Sequence, residues 1–198
     1  MKTMSRLFAV AVVAAVAACS SAPVPIDTFY RLEPRSAPVA RAGGPIKGVA
    51  EVTPLRGEGV INERAILYRA GTSRLRQYSY HFWADTPAAM LQRDLIDALR
   101  NAKAFERVVT PELRLNRDYE ISGTIRKLEH DVTSGSRAVM EIELAVRKIN
   151  GNQIVLMKTY SAELSASDDE VSAAVDGFAG ALSQIIAAFI ADLSQIPG

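Results

Sequence analysis

The sequence predicts an α+β fold, in which one largely antiparallel β-sheet carries two amphipathic helices. Apolar and polar residues alternate over residues 119–126 and again over 140–147, which is typical of half-buried strands. Asn150 and Gly151 both tolerate positive φ and therefore predict a hairpin turn into a further strand at 153–164. We expect these segments to form an antiparallel meander, with one helical segment before it and one after it.

Four shorter runs upstream of the meander are rich in Val, Ile and Tyr and are separated by Gly or Pro, which predicts strands. The runs cover residues 29–33, 46–53, 60–69 and 76–84. Asp85 or Thr86 then caps the first helix, and Pro87 lies near its first turn, where a missing N–H costs nothing. The apolar stripe of this helix comprises Leu91, Leu95, Ala98, Leu99 and Ala102.

The second helix is predicted to begin with Ser167-Asp168-Asp169-Glu170, which has the pattern of a capping box, with a metal site formed by the three acids as the alternative. Its apolar stripe comprises Val171, Val175, Phe178, Leu182, Ile185, Phe189 and Leu193. This stripe predicts packing on the sheet, while its heptad-like spacing leaves a helix from another chain as the alternative. Gly177 and Gly180 each cost about 1 kcal/mol relative to Ala in a helix, which predicts close approach to a neighbour.

The first 18 residues have the layout of a secretory signal peptide. Lys2 and Arg6 precede an apolar stretch that would be about 18 Å long as a helix, too short for a hydrocarbon core of about 30 Å. Val16-Ala17-Ala18-Cys19 resembles the lipobox of bacterial lipoproteins, in which the cysteine becomes the first mature residue and carries a diacylglyceryl group. The alternative is ordinary cleavage at Ala15-Val16-Ala17, but the free thiol left behind is a liability in an oxidising compartment.

The sequence therefore divides into a signal peptide at 1–18, a lipidated tether at 19–28 and a single periplasmic domain at 29–198. Ser20 stands where an inner-membrane retention signal would place Asp, which favours the outer membrane. Removal of the signal peptide takes away two of the 23 basic residues and none of the 22 acidic ones, so the net charge becomes −1. This balance gives no indication of nucleic-acid binding.

The sequence contains no phosphate-binding loop, dinucleotide-binding glycine motif, zinc-protease motif or serine-hydrolase elbow. With the single cysteine assigned to the anchor, a thiol nucleophile is excluded. His81 and His130 are interpreted as structural. A catalytic triad that used His130 and Asp131 would need both side chains on one face of the strand, but neighbouring residues of a strand point to opposite faces. Glu141 and Glu143 lie on the predicted solvent face of a strand. We expect no catalytic residue, no metal and no cofactor.

Aromatic residues are concentrated in the strand before the first helix. Tyr78, Tyr80 and Phe82 are predicted to share one face, with Trp83, the single tryptophan, on the other. Trp83 either closes the core where the strand turns into the helix or belongs to a binding surface, for which Trp and Tyr are favoured anchors.

Several short motifs follow one another in order along the mature chain. They are Tyr30-Arg31-Leu32, then Ile66-Leu67-Tyr68-Arg69, then Tyr78-x-Tyr80-His81-Phe82-Trp83-Ala84-Asp85-x-Pro87 leading into Met90, Leu91 and Leu95. In this order they resemble the ABC-type transport auxiliary lipoproteins, the PqiC-like group. The resemblance marks as candidate partner or family-motif positions Tyr30, Leu32, Tyr68, Arg69, Tyr80, Trp83 and Pro87.

The resemblance implies a non-catalytic lipoprotein of MCE-type systems, in which an inner-membrane ABC permease and ATPase is joined to periplasmic MCE-domain proteins that move lipids between membranes. Such a lipoprotein is expected to dock the periplasmic end of the assembly at the outer membrane, and it could form a ring-like homo-oligomer. One alternative is a periplasmic lipid carrier, which needs an apolar cavity on the order of a few hundred Å³ between helix and sheet. The other is a structural lipoprotein of an unrelated envelope machine.

Overall fold

A computed structural model describes residues 25–34 and 42–196, in which nine strands form one sheet and two α-helices pack on it. The strands are β1 (Thr28–Tyr30), β2 (Ile46–Val52), β3 (Arg56–Gly57), β4 (Ala65–Arg69), β5 (Leu75–Trp83), β6 (Phe105–Val109), β7 (Tyr119–Asp131), β8 (Arg137–Lys148) and β9 (Gln153–Ser165). The helices are α1 (Pro87–Asn101) and α2 (Val171–Leu193). The predicted signal peptide, Cys19 and the first part of the predicted tether lie outside the described residues.

Strand β7 organises the sheet because it has partners along both of its edges. One edge pairs antiparallel with β8, from Tyr119 opposite Lys148 to Asp131 opposite Arg137. The other edge pairs with β2, β3 and β4 in succession, all of them parallel to it. Beyond these, β5 and β1 extend the sheet past β4, β6 extends it past β2, and β9 adds to β8 at the opposite edge.

The prediction of a largely antiparallel sheet is wrong. Among the described strands, five of the eight pairings are parallel, namely β1 with β5, β2 with β6, and β7 with each of β2, β3 and β4. Within the described residues, antiparallel pairing occurs between β4 and β5 and in the β7–β8–β9 meander. Side-chain alternation reports a half-buried strand but carries no information on the direction of its neighbour. The sheet is therefore mixed, and the fold is mixed α/β.

Two strands were not expected from the sequence. β3 is only two residues long, and β6 shows no regular alternation of buried and exposed positions. The strand predicted at 60–69 begins late, because Gly59–Asn62 forms a 3₁₀ turn and the extended segment starts at Ala65.

Both helices lie on one face of the sheet, where they contact each other. α1 packs on β6 and β3, and α2 packs on β8 and β9. All seven residues of the α2 stripe are buried in this domain, so the stripe packs on its own sheet as predicted. α2 has the length and apolar composition of a membrane span, but 67% of its most apolar stretch is buried inside the domain.

The predicted capping box of α2 is wrong. The helix begins one residue after Glu170, which occupies the cap position itself and makes no side-chain capping bond. Asp168 instead accepts a hydrogen bond of 2.9 Å from the backbone N–H of Glu170 through its own Oδ1. At α1, Thr86 occupies the cap position without a side-chain bond, and Pro87 takes the first helical position as predicted.

The predicted close approach at the helical glycines is confirmed. A Cβ placed on Gly177 would lie 2.7 Å from the Cβ of Ala138 on β8, and one placed on Gly180 would lie 2.6 Å from Cδ1 of Leu164 on β9. Both glycines therefore let α2 lie directly against the two strands beneath it.

Candidate functional site

Tyrosines and histidines gather on the helix-facing side of the sheet, where β1, β5, β4 and β7 adjoin. This tyrosine–histidine cluster consists of Tyr30, Tyr68, Tyr78, His81 and His130. The ring centroids of Tyr68 and Tyr78 are 4.4 Å apart, Tyr78 stacks on His130 at 6.0 Å and meets His81 edge-on at 6.1 Å. Tyr30 stacks on His81 at 5.8 Å, and its hydroxyl is 3.0 Å from Nδ1 of that ring.

A series of hydrogen bonds runs from Tyr78 through His130 to Asp168, in the segment just before α2. The Tyr78 hydroxyl lies 2.8 Å from Nδ1 of His130, and Oγ of Ser136 lies 2.7 Å from Nε2. Ser136 donates its own hydrogen to the backbone carbonyl of Asp168 at 2.6 Å. Its Oγ must therefore accept from Nε2–H, so Nδ1 of His130 is the acceptor for the Tyr78 hydroxyl.

Burial determines the protonation of the groups in this series. It lowers the pKa of His130, although the charges of Asp169 and Asp131 oppose the shift. Burial also raises the pKa of Tyr78 to about 12, and the nearby Tyr68 adds to this effect. At neutral pH both rings are therefore uncharged. These hydrogen bonds hold the side chains in place and carry no net charge.

The contact of Ser136 with His130 differs from that of a serine nucleophile with its base. An activated serine donates its hydrogen to the imidazole, whereas Ser136 donates to a carbonyl and accepts from Nε2. Asp131 faces the opposite side of the sheet, as strand alternation predicts, and a phenol takes its place at Nδ1. The arrangement fastens Asp168, just before α2, to the β7–β8 hairpin.

Asp131 is the centre of an ion-pair cluster on the solvent face. Its Oδ2 lies 2.5 Å from Nη2 of Arg69 and 2.9 Å from Nη2 of Arg137, while Oδ1 accepts from the backbone N–H and hydroxyl of Thr133 at 2.9 and 2.6 Å. Burial acts to raise the pKa of Asp131, but the Thr133 hydrogen bonds and the two guanidinium groups outweigh it and lower the pKa. An ionised carboxylate therefore joins β4, β7 and β8.

The two carboxylates singled out on β8 are paired with cations on β7. Glu141 Oε2 lies 3.0 Å from Nζ of Lys127, and Glu143 Oε2 lies 2.8 Å from Nη2 of Arg126. Among the described residues, no group of three His, Cys, Asp or Glu side chains is arranged to hold a metal ion. The alternative of a metal site at Asp168, Asp169 and Glu170 is therefore not supported. This face of the sheet is a solvated ladder of ion pairs.

Three of the candidate partner positions are core residues. Leu32, Trp83 and Pro87 are buried, and the Trp83 side chain is only 1% exposed. Its ring meets Phe178 edge-on, with the ring centroids 5.7 Å apart. Trp83 thus closes the core, which is the first of its two interpretations. Tyr80 is different, since its side chain is 43% exposed and its backbone adopts a left-handed φ of 62°.

The predicted alternation in the aromatic strand is interrupted at Tyr80. A step of two residues in β4 matches a step of five in β5, so β5 bulges at this point. Tyr78 consequently faces His130 on the helix side, whereas Phe82 contacts Phe29 on the other side, with ring centroids 5.9 Å apart. The prediction that Tyr78, Tyr80 and Phe82 share one face is therefore wrong.

Two solved proteins have a similar fold. The crystal structure of a protein from Xanthomonas campestris matches with a TM-score of 0.72 at 19% sequence identity, covering 82% of this chain and 92% of that chain. The crystal structure of an uncharacterized protein matches with a TM-score of 0.66 at 15% identity, covering 84% of this chain and 97% of that one. At these identities the likeness shows the fold alone.

No curated protein matches this sequence. One family model matches the sequence, and the match extends over residues 30–191. The chain belongs to the family described as the ABC-type transport auxiliary lipoprotein component.

Proposed function

We propose that the protein is a membrane-anchored accessory lipoprotein of an MCE-type ABC transport system, and that it docks the periplasmic lipid-transport assembly at the outer membrane. Family membership supports the accessory role, because the family is an auxiliary lipoprotein component of ABC-type transport. Lipidation of Cys19 holds the domain at the membrane, and Ser20 in the next position favours the outer membrane.

The observation that carries the docking role is the closed contact between α2 and the sheet. A lipid carrier of this fold would need an apolar cavity between the helix and the strands. At Gly177 the approach to Ala138 is so close that not even a Cβ fits, and Phe178 beside it packs on Trp83. The described clefts of about 490 to 500 Å³ are open to solvent and include charged side chains in their walls. A domain of this kind offers surfaces to a protein partner.

The partner is tested by a detergent pull-down of the tagged, full-length protein from its own cells, followed by mass spectrometry. We expect an MCE-domain protein together with its permease and ATPase. Recovery of none of them, from a preparation shown to be lipidated and folded, would overturn the proposal. The size of the complex in the same detergent shows whether the protein forms the ring-like homo-oligomer that the family resemblance implies.

The two alternatives give different results in the same preparation. A lipid carrier would retain stoichiometric lipid after delipidating washes, with the lipid protected between helix and sheet. A component of an unrelated envelope machine would recover that machine and no transporter subunits.

The anchor is tested separately by Cys19→Ala. We expect this variant to leave the membrane fraction while keeping the thermal unfolding transition of the soluble domain. Persistence of Cys19→Ala in the membrane fraction would show that another feature of the chain holds it there.

The choice of membrane is tested by Ser20→Asp. The wild-type protein is expected in the outer-membrane fraction of a density gradient, and Ser20→Asp in the inner-membrane fraction. A wild-type protein found in the inner membrane would remove the outer-membrane part of the proposal.

A further inference from the structure

Exposed apolar side chains gather at the β1 edge of the sheet, where the tether enters the domain. Ile26, Phe29 and Tyr80 are 86, 55 and 43% exposed, and the Phe29 ring contacts Phe82. The guanidinium of Arg64 lies over the Phe29 ring, 5.3 Å from its centroid. We call these five residues the anchor-side patch. Single exposed apolar residues are ordinary, but a group on two adjacent strands marks an interaction surface.

The length of the tether limits how far this patch can lie from the bilayer. Ile26 follows Cys19 by seven positions, and seven residue-to-residue steps of extended chain span at most about 25 Å. A folded domain of this length is roughly 40 Å across. The β1 edge is therefore held on the membrane side of the domain.

The chemistry of the patch suits the lipid headgroup region. Aromatic rings and arginine are favoured at the membrane interface, where an apolar body meets lipid and a polar end stays in water. Asp27 is also exposed between Ile26 and Phe29, so the patch belongs at headgroup level rather than in the hydrocarbon.

We propose that the anchor-side patch lies on the headgroups of the bilayer that holds Cys19, and that this contact fixes the orientation of the domain. The inference rests on the proposed lipidation of Cys19. With the patch on the membrane, β9 lies at the opposite end of the sheet, five strand spacings or about 24 Å away, and faces the periplasm.

The orientation is tested in the full, lipidated protein by moving a tryptophan. Phe29→Trp places an indole in the patch, and Met157→Trp is the matched control, because Met157 is 57% exposed on β9. Trp83 is present in both variants, is 1% exposed and contributes the same background fluorescence to each. The wild-type protein gives the size of this background, which is subtracted. The proteins are reconstituted in vesicles of phosphatidylethanolamine and phosphatidylglycerol that carry a nitroxide quencher on some of the lipid headgroups.

We expect the emission added by Phe29→Trp to be quenched at least two-fold more than that added by Met157→Trp, and to be shifted to shorter wavelength. Equal quenching of the two variants, or none in either, overturns the orientation. Protection of Phe29→Trp only when an MCE-domain partner is added also overturns it and assigns the patch to that partner.

Flotation of the same vesicles separates this inference from the anchor on which it depends. Protein that floats with the vesicles but shows no quenching of Phe29→Trp is anchored and wrongly oriented, so only the present inference fails. Protein that does not float disproves the anchor and the orientation together.

Discussion

The hydroxyl of Tyr78 donates a hydrogen bond of 2.8 Å to Nδ1 of His130, a histidine with no exposed surface in the domain. Because Nε2–H of the same ring is used by Ser136, a second proton could enter only at the nitrogen that now accepts from the phenol. The folded state therefore stabilises the neutral imidazole of His130 relative to the protonated one.

This preference predicts that the free energy of unfolding decreases as the pH falls below about 6.5, the ordinary pKa of histidine. Burial lowers the pKa of folded His130, so in this range the unfolded chain binds more protons than the folded one. The contribution is complete above the unfolded pKa and is lost as the pH falls toward the folded value. Urea denaturation of the mature protein at pH 8 and pH 5.5 measures it.

His130→Gln is the control, because glutamine has no proton to gain. Asp94 titrates in the same pH range, because burial raises its pKa to about 6. Protonation of Asp94 favours the folded state at low pH, so its effect on the free energy of unfolding is opposite to that of His130. The difference between wild type and His130→Gln isolates the histidine. Equal pH dependence in the two proteins would contradict the prediction.

Trp83 is expected to matter for stability rather than for partner binding. Trp83→Ala removes a core ring that packs on Phe178 and should lower the free energy of unfolding by about 3 to 5 kcal/mol. Tyr80→Ala, on the same strand but exposed, should change it by less than about 1 kcal/mol. Thermal melts beside pull-downs measure both effects, and a binding loss in folded Trp83→Ala would refute this division.

The two glycines of α2 are expected to respond differently to alanine. Gly177→Ala places a Cβ against the rigid Cβ of Ala138, so it should destabilise the protein although alanine favours helix by about 1 kcal/mol. Gly180→Ala meets only the end of the Leu164 side chain, which can rotate away, and should be neutral or stabilising. Chemical denaturation of both variants tests the difference.

A compensating change tests the cause. Adding Ala138→Gly to Gly177→Ala removes the opposing Cβ. The double variant should then lose less free energy of unfolding than the sum of the losses in the two single variants. Strict additivity would show that the contact with Ala138 is not the reason for the glycine.

Asp131 is expected to be the most sensitive acid of the solvent face. Asp131→Asn leaves two guanidinium groups beside a neutral amide and should lower the free energy of unfolding by about 3 kcal/mol. Glu163 also pairs with Arg137 but is about half exposed, so Glu163→Gln should cost less than about 1 kcal/mol. Equal costs for the two variants, measured by urea denaturation, would show that Asp131 has no special role.

Features specified by neighbouring residues could be predicted from the sequence. The meander around Asn150-Gly151, the buried stripe of α2 and the close approach at Gly177 all depend on periodicity or residue size within one segment. Each of them is present in the structure, because the local pattern and the tertiary packing agree.

Features that depend on distant pairing could not be predicted. The parallel alignment of β2, β3 and β4 on β7 joins segments separated by many residues, and nothing in their side chains encodes direction. The bulge at Tyr80 places a tyrosine in a conformation that sequence rules assign to glycine. The contact of Ser136 with His130 exists only once the β7–β8 hairpin has brought them together.

The position of β7 in the chain also has a consequence for folding after the proposed export. Ala50 on β2 pairs with Tyr119, which is translated 69 residues later, and β3 and β4 depend on the same strand. Under the proposed export the amino-terminal segments would emerge first, so β2, β3 and β4 would cross the membrane before the strand that joins them. We expect β2, β3 and β4 to remain without this partner until residue 131 has crossed, whereas β8, β9 and α2 join the sheet later still.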